Sequence, residues 1–217
     1  LMFYKISKRI IDIIASLILA VLFLPIWIIL PILIKLDSPG PIFYKPKRVG
    51  QGGKPFNMLK FRSMRMFKVD GKLVHAVKYW EKDKKLYEKY KKQGWKLGLD
   101  EDPRITKLGK IIRQTSLDET PQVFNILKGD MSLVGPRAYV QKELDDAIKR
   151  YGDKIKAYID ESLTVKPGLT GPWQVAGRND IPWDERVQID ARYANKKNII
   201  NDLLIILRTP LAMISKW

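Results

Sequence analysis

The stretch IIASLILAVLFLPIWIILPILI, residues 13–34, decides the fold of this chain, because none of its 22 positions carries a charge. About 20 apolar residues in a helix are enough to cross a bilayer. Cations flank the stretch on both sides, at Lys5, Lys8 and Arg9 before it and at Lys35, Lys45, Lys47 and Arg48 after it. Cationic flanks favour the cytoplasmic side of a membrane, so both ends are expected on that side.

Two prolines, Pro25 and Pro31, interrupt the apolar stretch. Proline removes a backbone donor and clashes with the preceding turn, at a cost of roughly 3 kcal/mol in a regular helix. The arm Ile13–Leu24 has 12 residues, and at 1.5 Å per residue it reaches about 18 Å into an apolar layer of about 30 Å. The pattern favours a re-entrant helix hairpin over residues 1–37, with a tilted single span and a buried core helix as the alternatives.

Composition restricts the chemistry that the remaining residues can perform. The 217-residue chain is 46% hydrophobic, and residues 38–217 are enough for one globular domain. It has no cysteine and one histidine, His75, which excludes disulfides, thiolate nucleophiles and cysteine-bound zinc. We interpret His75 as a solvated residue in a polar helix. Any reaction must therefore use carboxylates, hydroxyls, lysines and arginines.

The formal net charge of +17 predicts a polyanionic partner. An anionic leaflet suits it, because each Lys or Arg near such a surface contributes about 1 kcal/mol; phosphate-bearing substrates suit it as well. Nucleic acid is disfavoured, since the sequence shows neither an aromatic platform nor a recognition-helix motif. The apolar stretch favours the membrane.

Beyond residue 37 the sequence predicts an α+β fold, a mostly helical domain with a small β-hairpin. The hairpin pairs Ile42–Tyr44 with Phe56–Met58 around the turn Gly50–Gly53. Helical patterns cover about 78–96, 104–112, 121–128 and 139–151, the last ending at Gly152, and residues 167–172 are expected to form a loop. The apolar segment Ile199–Trp217 fits either an interfacial helix or the core.

An adjacent acidic pair, Asp118 and Glu119, precedes Thr120 and Pro121, which suit the N-cap and first position of a helix. The partial positive charge of a helix start favours ionised carboxylates by about 0.3–1 kcal/mol. An ionised Asp can attack phosphorus, and a neighbouring Glu can hold Mg²⁺. The alternative is a capping box between Ser116 and Glu119, although proline would then fall inside the first turns of the helix.

Seven ordered motifs carry a family resemblance over nearly the whole length. They are SPGPIF (38–43), KFRSM (60–64), DPRIT (102–106), TSLDE (115–119), KGDMSLVGPR (128–137), KPGLTG (166–171) and GRN (177–179). With the basic start and the broken apolar helix, these motifs closely resemble the bacterial sugar transferases, the monotopic polyprenyl-phosphate hexose-1-phosphate transferases.

The resemblance implies a phosphoglycosyl transferase that starts surface polysaccharide synthesis at the bacterial inner membrane, with its catalytic domain (residues 38–217, including interfacial helices) in the cytoplasm. Such an enzyme transfers a hexose 1-phosphate from a UDP-sugar to undecaprenyl phosphate, releases UMP and requires Mg²⁺. UDP-galactose and UDP-glucose are the favoured donors. By this resemblance Asp118 forms a covalent phosphosugar intermediate, and Glu119 helps to bind the metal.

Further side chains are expected at the site. The fork geometry of guanidinium makes Arg113 and Arg137 candidate phosphate clamps, and Lys60 and Arg62 are expected to attract the lipid phosphate. Weaker candidates for the nucleotide end or the metal are Gln174, Arg178 and Asp190, with Asp190 as a second metal ligand.

Other points stay open at the level of sequence. A non-catalytic basic membrane-binding module is the competing function, and a homodimer is neither favoured nor excluded. Because the chain starts at Leu1 without an initiator Met, we expect that the N-terminal membrane region of larger relatives has been removed from it.

Overall fold

Helices make up most of the computed structural model, which describes residues 2–69, 71–75, 84–92, 97–177 and 180–214. The helices within this part are α1 (Met2–Asp37), α2 (Lys84–Lys92), α3 (Lys107–Gln114), α4 (Gln122–Lys128), α5 (Gln141–Tyr151), α6 (Asp153–Ser162), α7 (Pro172–Ala176), α8 (Trp183–Lys196) and α9 (Ile199–Ile214). The strands are β1 (Phe43–Tyr44), β2 (Lys47–Val49), β3 (Pro55–Asn57), β4 (Lys60–Phe61), β5 (Met66–Val69), β6 (Lys72–His75), β7 (Ser132–Val134) and β8 (Gly168–Thr170). Short 3₁₀ turns occupy Gln51–Gly53 and Leu117–Glu119. The prediction of a mostly helical chain with small sheets is confirmed.

The chain forms two compact units. The first unit comprises residues 1–23, 45–59 and 121–217, and the second comprises residues 24–44 and 60–120. The boundary within α1 falls between Phe23 and Leu24, next to Pro25. The predicted division into a membrane segment and a catalytic domain after residue 37 stays a prediction.

Helix α1 continues through both of its prolines over 36 residues, whereas the sequence predicted two arms separated at Pro25. A proline removes only one hydrogen bond of the helical ladder, so it can bend a helix without ending it. Only 11% of the most apolar 18 residues of α1 are buried, and the helix is long and apolar enough to cross a membrane. The re-entrant course stays a prediction.

In the first unit, polar side chains of α1 fix two other elements. The Oδ1 atom of Asp12 accepts hydrogen bonds from the hydroxyl of Ser132 at 2.9 Å and from the backbone N–H of Leu133 at 2.8 Å, at the start of β7. The guanidinium of Arg9 donates to two carbonyls in the last turn of α4, at 2.6 and 2.7 Å. These contacts tie β7 and α4 to the N-terminal half of α1.

The strand pairing around the glycine-rich turn differs from the prediction. Strand β3 pairs with β2, in the register Lys47↔Asn57 and Val49↔Pro55, and not with Ile42–Tyr44. Strand β1 pairs instead with β4. The physical reason is the short connection, because the turn at residues 50–54 joins β2 to β3 directly while Pro46 separates β1 from β2.

The segment 167–172, predicted as a loop, contains strand β8, which pairs in parallel with β7. The backbone N–H of Gly135 donates to Thr170 O at 3.0 Å, and that of Gly168 donates to Pro136 O at 2.9 Å. A Cβ added to Gly168 would lie 2.1 Å from the nitrogen of Gly135. The glycine that suggested a turn therefore permits a close approach of two backbones.

Several helix ends agree with the sequence. Helix α4 is followed by Gly129, at φ +96°, and α5 by Gly152, at φ +71°. Helix α3 starts after Thr106, whose Oγ1 accepts a hydrogen bond from the N–H of Gly109 at 2.8 Å, so it lies two to three residues beyond the predicted 104–112. Glycine ends a helix because it adopts the left-handed conformation readily.

The sequence predicted helical structure at His75 and over residues 78–96, and the structure agrees with only the second prediction. His75 ends strand β6, which pairs with β5, so its placement in a helix is wrong; cross-strand pairing decides the structure there, not local polarity. The predicted helix over 78–96 is described only for Lys84–Lys92, where α2 confirms it, and the rest lies outside the described residues.

Gly109 offers a test of packing in the second unit. Gly109→Ala would place a Cβ 2.1 Å from the carbonyl oxygen of Ser63. Alanine normally stabilises a helix interior by roughly 0.5–1 kcal/mol, but here we expect the free energy of unfolding to fall by about 1–3 kcal/mol because of the clash. The control is Gly98→Ala, whose Cβ would meet its nearest atom at 3.6 Å and should leave stability within about 0.5 kcal/mol of the wild type. Denaturant titrations that show equal stability for the two variants would contradict this packing.

Candidate active site

The acidic pair of the second unit lies on its own 3₁₀ turn, Leu117–Glu119. Ser116 precedes this turn in the left-handed conformation, at φ +55°, and its side chain makes no capping hydrogen bond. The capping box considered for Ser116 and Glu119 is therefore absent. Among the described residues Ser116 is the sole non-glycine residue with positive φ, a strained conformation of the kind that clusters at functional sites.

Thr120 closes this turn and is not the cap of α4. Its hydroxyl donates to the carbonyl of Leu117 at 3.0 Å and accepts from Nε1 of Trp27 at 3.1 Å. The sequence predicted the acidic pair at the start of α4. This prediction is wrong, because the pair lies on a separate turn that ends before α4 begins. The indole of α1 holds the acidic turn within the second unit.

Lys60 of β4 provides the positive charge of the site. Its Nζ lies 2.5 Å from Oε1 of Glu119 and 3.7 Å from Oδ2 of Asp118. Asp118 is only 8% exposed, and burial raises the pKa of its carboxyl to about 6, while Lys60 and, more weakly, Arg113 lower it and Glu119 raises it. The buried carboxyl is thus kept ionisable near neutral pH by its cationic neighbours.

The expected magnesium ion would have two carboxylates of the acidic pair as its protein ligands. Among the described residues, no three or more His, Asp and Glu side chains come together to hold a metal ion. Mg²⁺ is usually bound by one or two carboxylates together with substrate phosphates and water, so Asp118 and Glu119 fit it. The two carboxylates lie near the same cation, because the ammonium of Lys60 is 2.5 Å from Glu119 and 3.7 Å from Asp118.

Arg62, expected to attract a lipid phosphate, is directed at the protein backbone. It is 3% exposed; its Nε donates to Pro41 O at 2.6 Å, and Nη1 and Nη2 donate to Oγ and the carbonyl of Ser38 at 2.6 and 2.7 Å. A further donation at 3.3 Å reaches the carbonyl of Ile34. Arg62 thus secures the end of α1, and of these two cations Lys60 is the one that contacts the acidic pair.

In the first unit, Asp190 of α8 holds the segment that follows β7. Its Oδ2 accepts hydrogen bonds from the backbone N–H of Arg137 at 3.0 Å and from the hydroxyl of Tyr139 at 2.9 Å. Asp190 is completely buried, and burial raises the pKa of its carboxyl to about 7 against the opposing effect of these hydrogen bonds and of Arg137 and Arg186. Its role as a metal ligand stays a prediction.

Three side chains that the sequence did not single out complete this group: Tyr139, Trp173 and Arg186. The guanidinium carbons of Arg137 and Arg186 lie 5.1 and 5.3 Å from the centroid of the Trp173 ring. One signal was available, since Arg186 and Asp190 are four residues apart and hence share a face of α8. The other two could not be found without the packing.

Two further candidates for the nucleotide end remain, Gln174 and Arg178. Gln174 follows Trp173 on α7, and its buried Oε1 has no hydrogen-bond partner among the described residues. Arg178 lies outside the described residues. The second unit thus brings together Asp118, Glu119 and Lys60 with Arg113 as an electrostatic neighbour, and the first unit brings together Arg137 and Asp190.

The acidic pair with Lys60 thus occurs in a chain that also has a helix long and apolar enough to cross a membrane. The bacterial sugar transferase profile matches residues 3–216, and the chain belongs to this family.

Several curated proteins are similar in sequence to almost the whole of this chain. It is 42% identical over 210 residues to the undecaprenyl-phosphate galactose phosphotransferase of Salmonella typhimurium, covering 93% of this chain and 39% of that protein. It is 36% identical over 203 residues to the exopolysaccharide production protein ExoY of Rhizobium meliloti, covering 94% and 83%. It is 36% identical over 207 residues to the UDP-glucose:undecaprenyl-phosphate glucose-1-phosphate transferase of Caulobacter vibrioides, covering 93% and 67%. The chain spans about two fifths of the length of some curated relatives, including the Salmonella protein.

Matched glutamine substitutions test whether Lys60 of β4 and Arg62, which follows β4, have different roles. Arg62→Gln leaves buried carbonyls at the end of α1 without donors, so we expect the free energy of unfolding to fall by about 2–3 kcal/mol. Lys60→Gln can still donate a hydrogen bond to a carboxylate, and we expect a loss of about 1 kcal/mol or less. Denaturant titration in detergent measures both, and an equal loss in the two variants would contradict the structural assignment of Arg62.

Proposed function

We propose that this chain transfers a hexose 1-phosphate from a UDP-sugar to undecaprenyl phosphate, releases UMP and thereby starts surface polysaccharide synthesis. The names of the Salmonella and Caulobacter relatives support galactose and glucose as the favoured sugars. The observation that carries the proposal is the buried Asp118 beside Glu119, with Lys60 in contact with both carboxylates.

The proposed reaction has two displacements at one phosphorus atom. In the first, a carboxylate oxygen of Asp118 bonds to the sugar-linked phosphorus of the UDP-sugar, and the bond between that phosphorus and the UMP oxygen breaks, so that UMP leaves with the electron pair. In the second, an oxygen of undecaprenyl phosphate bonds to the same phosphorus and the Asp118 carboxylate is released. One nucleophile can thus serve a soluble and a membrane-bound substrate in turn.

Both displacements begin with an anion approaching an anion, and cations of the site reduce this repulsion. The ammonium of Lys60 forms ion pairs with Asp118 and Glu119, and Arg113 acts electrostatically on Asp118. Glu119, with Asp118, would hold Mg²⁺. When bound, Mg²⁺ supplies charge neutralisation for the diphosphate and polarises its oxygens.

We further propose that α1 takes a re-entrant course through the cytoplasmic leaflet of the inner membrane. Its exposed apolar face extends over most of the helix, including Ile14, Leu17, Val21, Ile28 and Ile32. Apolar surfaces of this size mark membrane or protein contacts, and the cationic residues at both ends favour the same side of the membrane. Anionic lipid would add an attraction to the net charge of +17.

Helix α9 supports the same placement of the first unit. Its Asp202 accepts hydrogen bonds from Lys8 at 2.8 Å and Tyr4 at 3.0 Å, both from α1. Its opposite side exposes a run of apolar side chains at Ile200, Leu203, Leu204, Leu207 and Leu211. This helix would lie in the membrane interface beside α1.

Substitution of the nucleophile tests the reaction. Asp118→Asn removes the attacking carboxylate, so we expect UMP release from UDP-galactose or UDP-glucose to fall at least ~10³-fold and the acid-labile phosphosugar adduct to disappear from the protein. Asp100→Asn, which alters an exposed carboxylate of the same unit, should retain both signals. An active Asp118→Asn enzyme would refute the mechanism, and the non-catalytic membrane module predicts no turnover even in the wild type.

Cysteine labelling tests the course of α1, because the chain has no cysteine of its own. Lys5→Cys and Lys35→Cys place single thiols at exposed positions at the two ends of the apolar stretch. A membrane-impermeant maleimide should label both in inverted inner-membrane vesicles, as it labels the control Lys149→Cys on the exposed side of α5. Labelling of the two ends from opposite sides would show a spanning helix and exclude the re-entrant course.

A further inference from the structure

A hydrogen bond joins α1 to the turn that carries the acidic pair, within the second unit. Nε1 of Trp27 donates to the hydroxyl oxygen of Thr120 at 3.1 Å, and this hydroxyl donates in turn to the carbonyl of Leu117 at 3.0 Å. A threonine hydroxyl has one proton to donate and two lone pairs to accept, so both bonds form at the same time. Together they make a two-bond relay from the indole of α1 to the backbone of the acidic turn.

The relay encloses the acidic pair. Leu117 directly precedes Asp118, and Thr120 directly follows Glu119. The hydroxyl bond from Thr120 to Leu117 therefore closes a ring of backbone around both acids. The backbone N–H of Thr120 donates to the same carbonyl at 3.3 Å, which is longer than the usual distance of about 2.9–3.0 Å. The side-chain bond thus reinforces a long backbone bond at the end of the turn.

The acidic turn depends on support from outside itself. It is a 3₁₀ turn of three residues, Leu117–Glu119, and 3₁₀ hydrogen bonds have poorer geometry than those of an α-helix. Ser116, which leads into the turn, has the left-handed conformation at φ +55°, and its side chain makes no capping hydrogen bond. A non-glycine residue persists in this conformation only when its surroundings impose it. Contacts beyond the turn therefore fix the direction of the Asp118 carboxylate.

The indole that provides this support packs on the apolar core of the second unit. Trp27 and Leu117 contact one buried cluster. It consists of Leu30, Ile34, Phe61 and Ile112. Phe61 directly follows Lys60 in β4, and the ammonium of Lys60 pairs with both acids. The same cluster thus supports the donor of the relay, the turn and the cation. Apolar packing places the ring, and the indole N–H adds a directional bond.

We propose that Trp27 and Thr120 are positioning residues for Asp118, the nucleophile of the proposed transferase function, on which this inference rests. A displacement at phosphorus requires the attacking oxygen about 3–3.5 Å away and in line with the leaving group, and a misplacement of about 1 Å can cost about 10²-fold in rate. The relay holds the turn in the orientation for attack, so α1 contributes to the reaction in addition to its proposed place in the membrane. Loss of the relay lowers the rate of the chemical step and leaves the affinity for the donor substrate nearly unchanged.

Conservative substitutions test the relay one bond at a time. Thr120→Val keeps the shape of the side chain but removes the hydroxyl, and we expect kcat for UMP release from UDP-galactose or UDP-glucose to fall about 10- to 100-fold. Trp27→Phe keeps an aromatic ring but removes the indole N–H, and we expect a fall of about 3- to 10-fold. In both variants KM for the UDP-sugar should stay within about twofold of the wild type. The full chain is assayed in detergent with undecaprenyl phosphate and Mg²⁺.

Further variants separate positioning from general damage. Thr120→Ser keeps the hydroxyl and should retain at least about half of the wild-type kcat. Thr115→Val is the matched control in the same unit, because it removes a hydroxyl that donates to the carbonyls of Ile111 and Ile112; it should leave kcat within about twofold of the wild type. Adding Trp27→Phe to Thr120→Val should lower kcat little further, because both residues act through one relay.

Three results would overturn the inference: wild-type kcat in a folded Thr120→Val variant, a Thr120→Ser variant as slow as Thr120→Val, and full additivity of Trp27→Phe and Thr120→Val. If Thr120→Val does not fold, as judged by thermal unfolding, wild-type kcat in Trp27→Phe overturns it instead. Failure of the transferase function has a different signature, because the wild type would then release no UMP from either UDP-sugar. The two proposals can therefore be told apart.

Discussion

The constraint on which the first unit depends is that polar side chains of a mostly apolar helix must find partners in the protein. Asp12 of α1 is buried and binds the start of β7, and Arg9 binds the end of α4. Leaving a buried polar group without its hydrogen-bond partner typically costs about 1–3 kcal/mol, so these contacts hold β7 and α4 against α1. Because β7 leads directly into the segment that contains Arg137, the placement of that arginine follows from the register of α1.

In the second unit, two contacts of α1 fix the position of the acidic pair. Arg62 holds the carbonyls at the end of α1, and Trp27 holds Thr120 at the end of the acidic turn. Strand β4 carries Lys60 and the buried Phe61 directly before Arg62. Since successive side chains of a strand alternate in direction, burial of Phe61 leaves Lys60 on the side of the carboxylates. Of these three consecutive residues, Lys60 meets the carboxylates, whereas Phe61 and Arg62 are buried in the protein.

Burial raises the pKa of two carboxyls, those of Asp118 and Asp190, above the usual value of an aspartate. Asp118 has Lys60 as its ion-pair partner, and Asp190 accepts hydrogen bonds from neutral donors with Arg137 and Arg186 acting on it electrostatically, yet desolvation is the largest influence on the pKa of both carboxyls. The sequence identified both residues, but it placed Asp118 at the start of α4, and it did not predict the hydrogen bonds that Asp190 accepts from Arg137 and Tyr139. A sequence motif records that a carboxylate is present, whereas its surroundings are made by residues far away in the chain, such as Lys60 for Asp118 and Tyr139 for Asp190.

The sequence by itself determined the length and apolarity of α1, the glycines that end α4 and α5, the absence of thiol chemistry and the family with its acidic pair, because these depend on composition and on neighbours along the chain. Only the tertiary structure decided that β1 pairs with β4, that β8 is a strand beside β7, that Arg62 binds backbone while Lys60 meets the acids, and that Arg186 joins Arg137 on Trp173. Periodicity shows which faces are apolar, but pairing depends on which segments meet in space, and no local pattern contains that information.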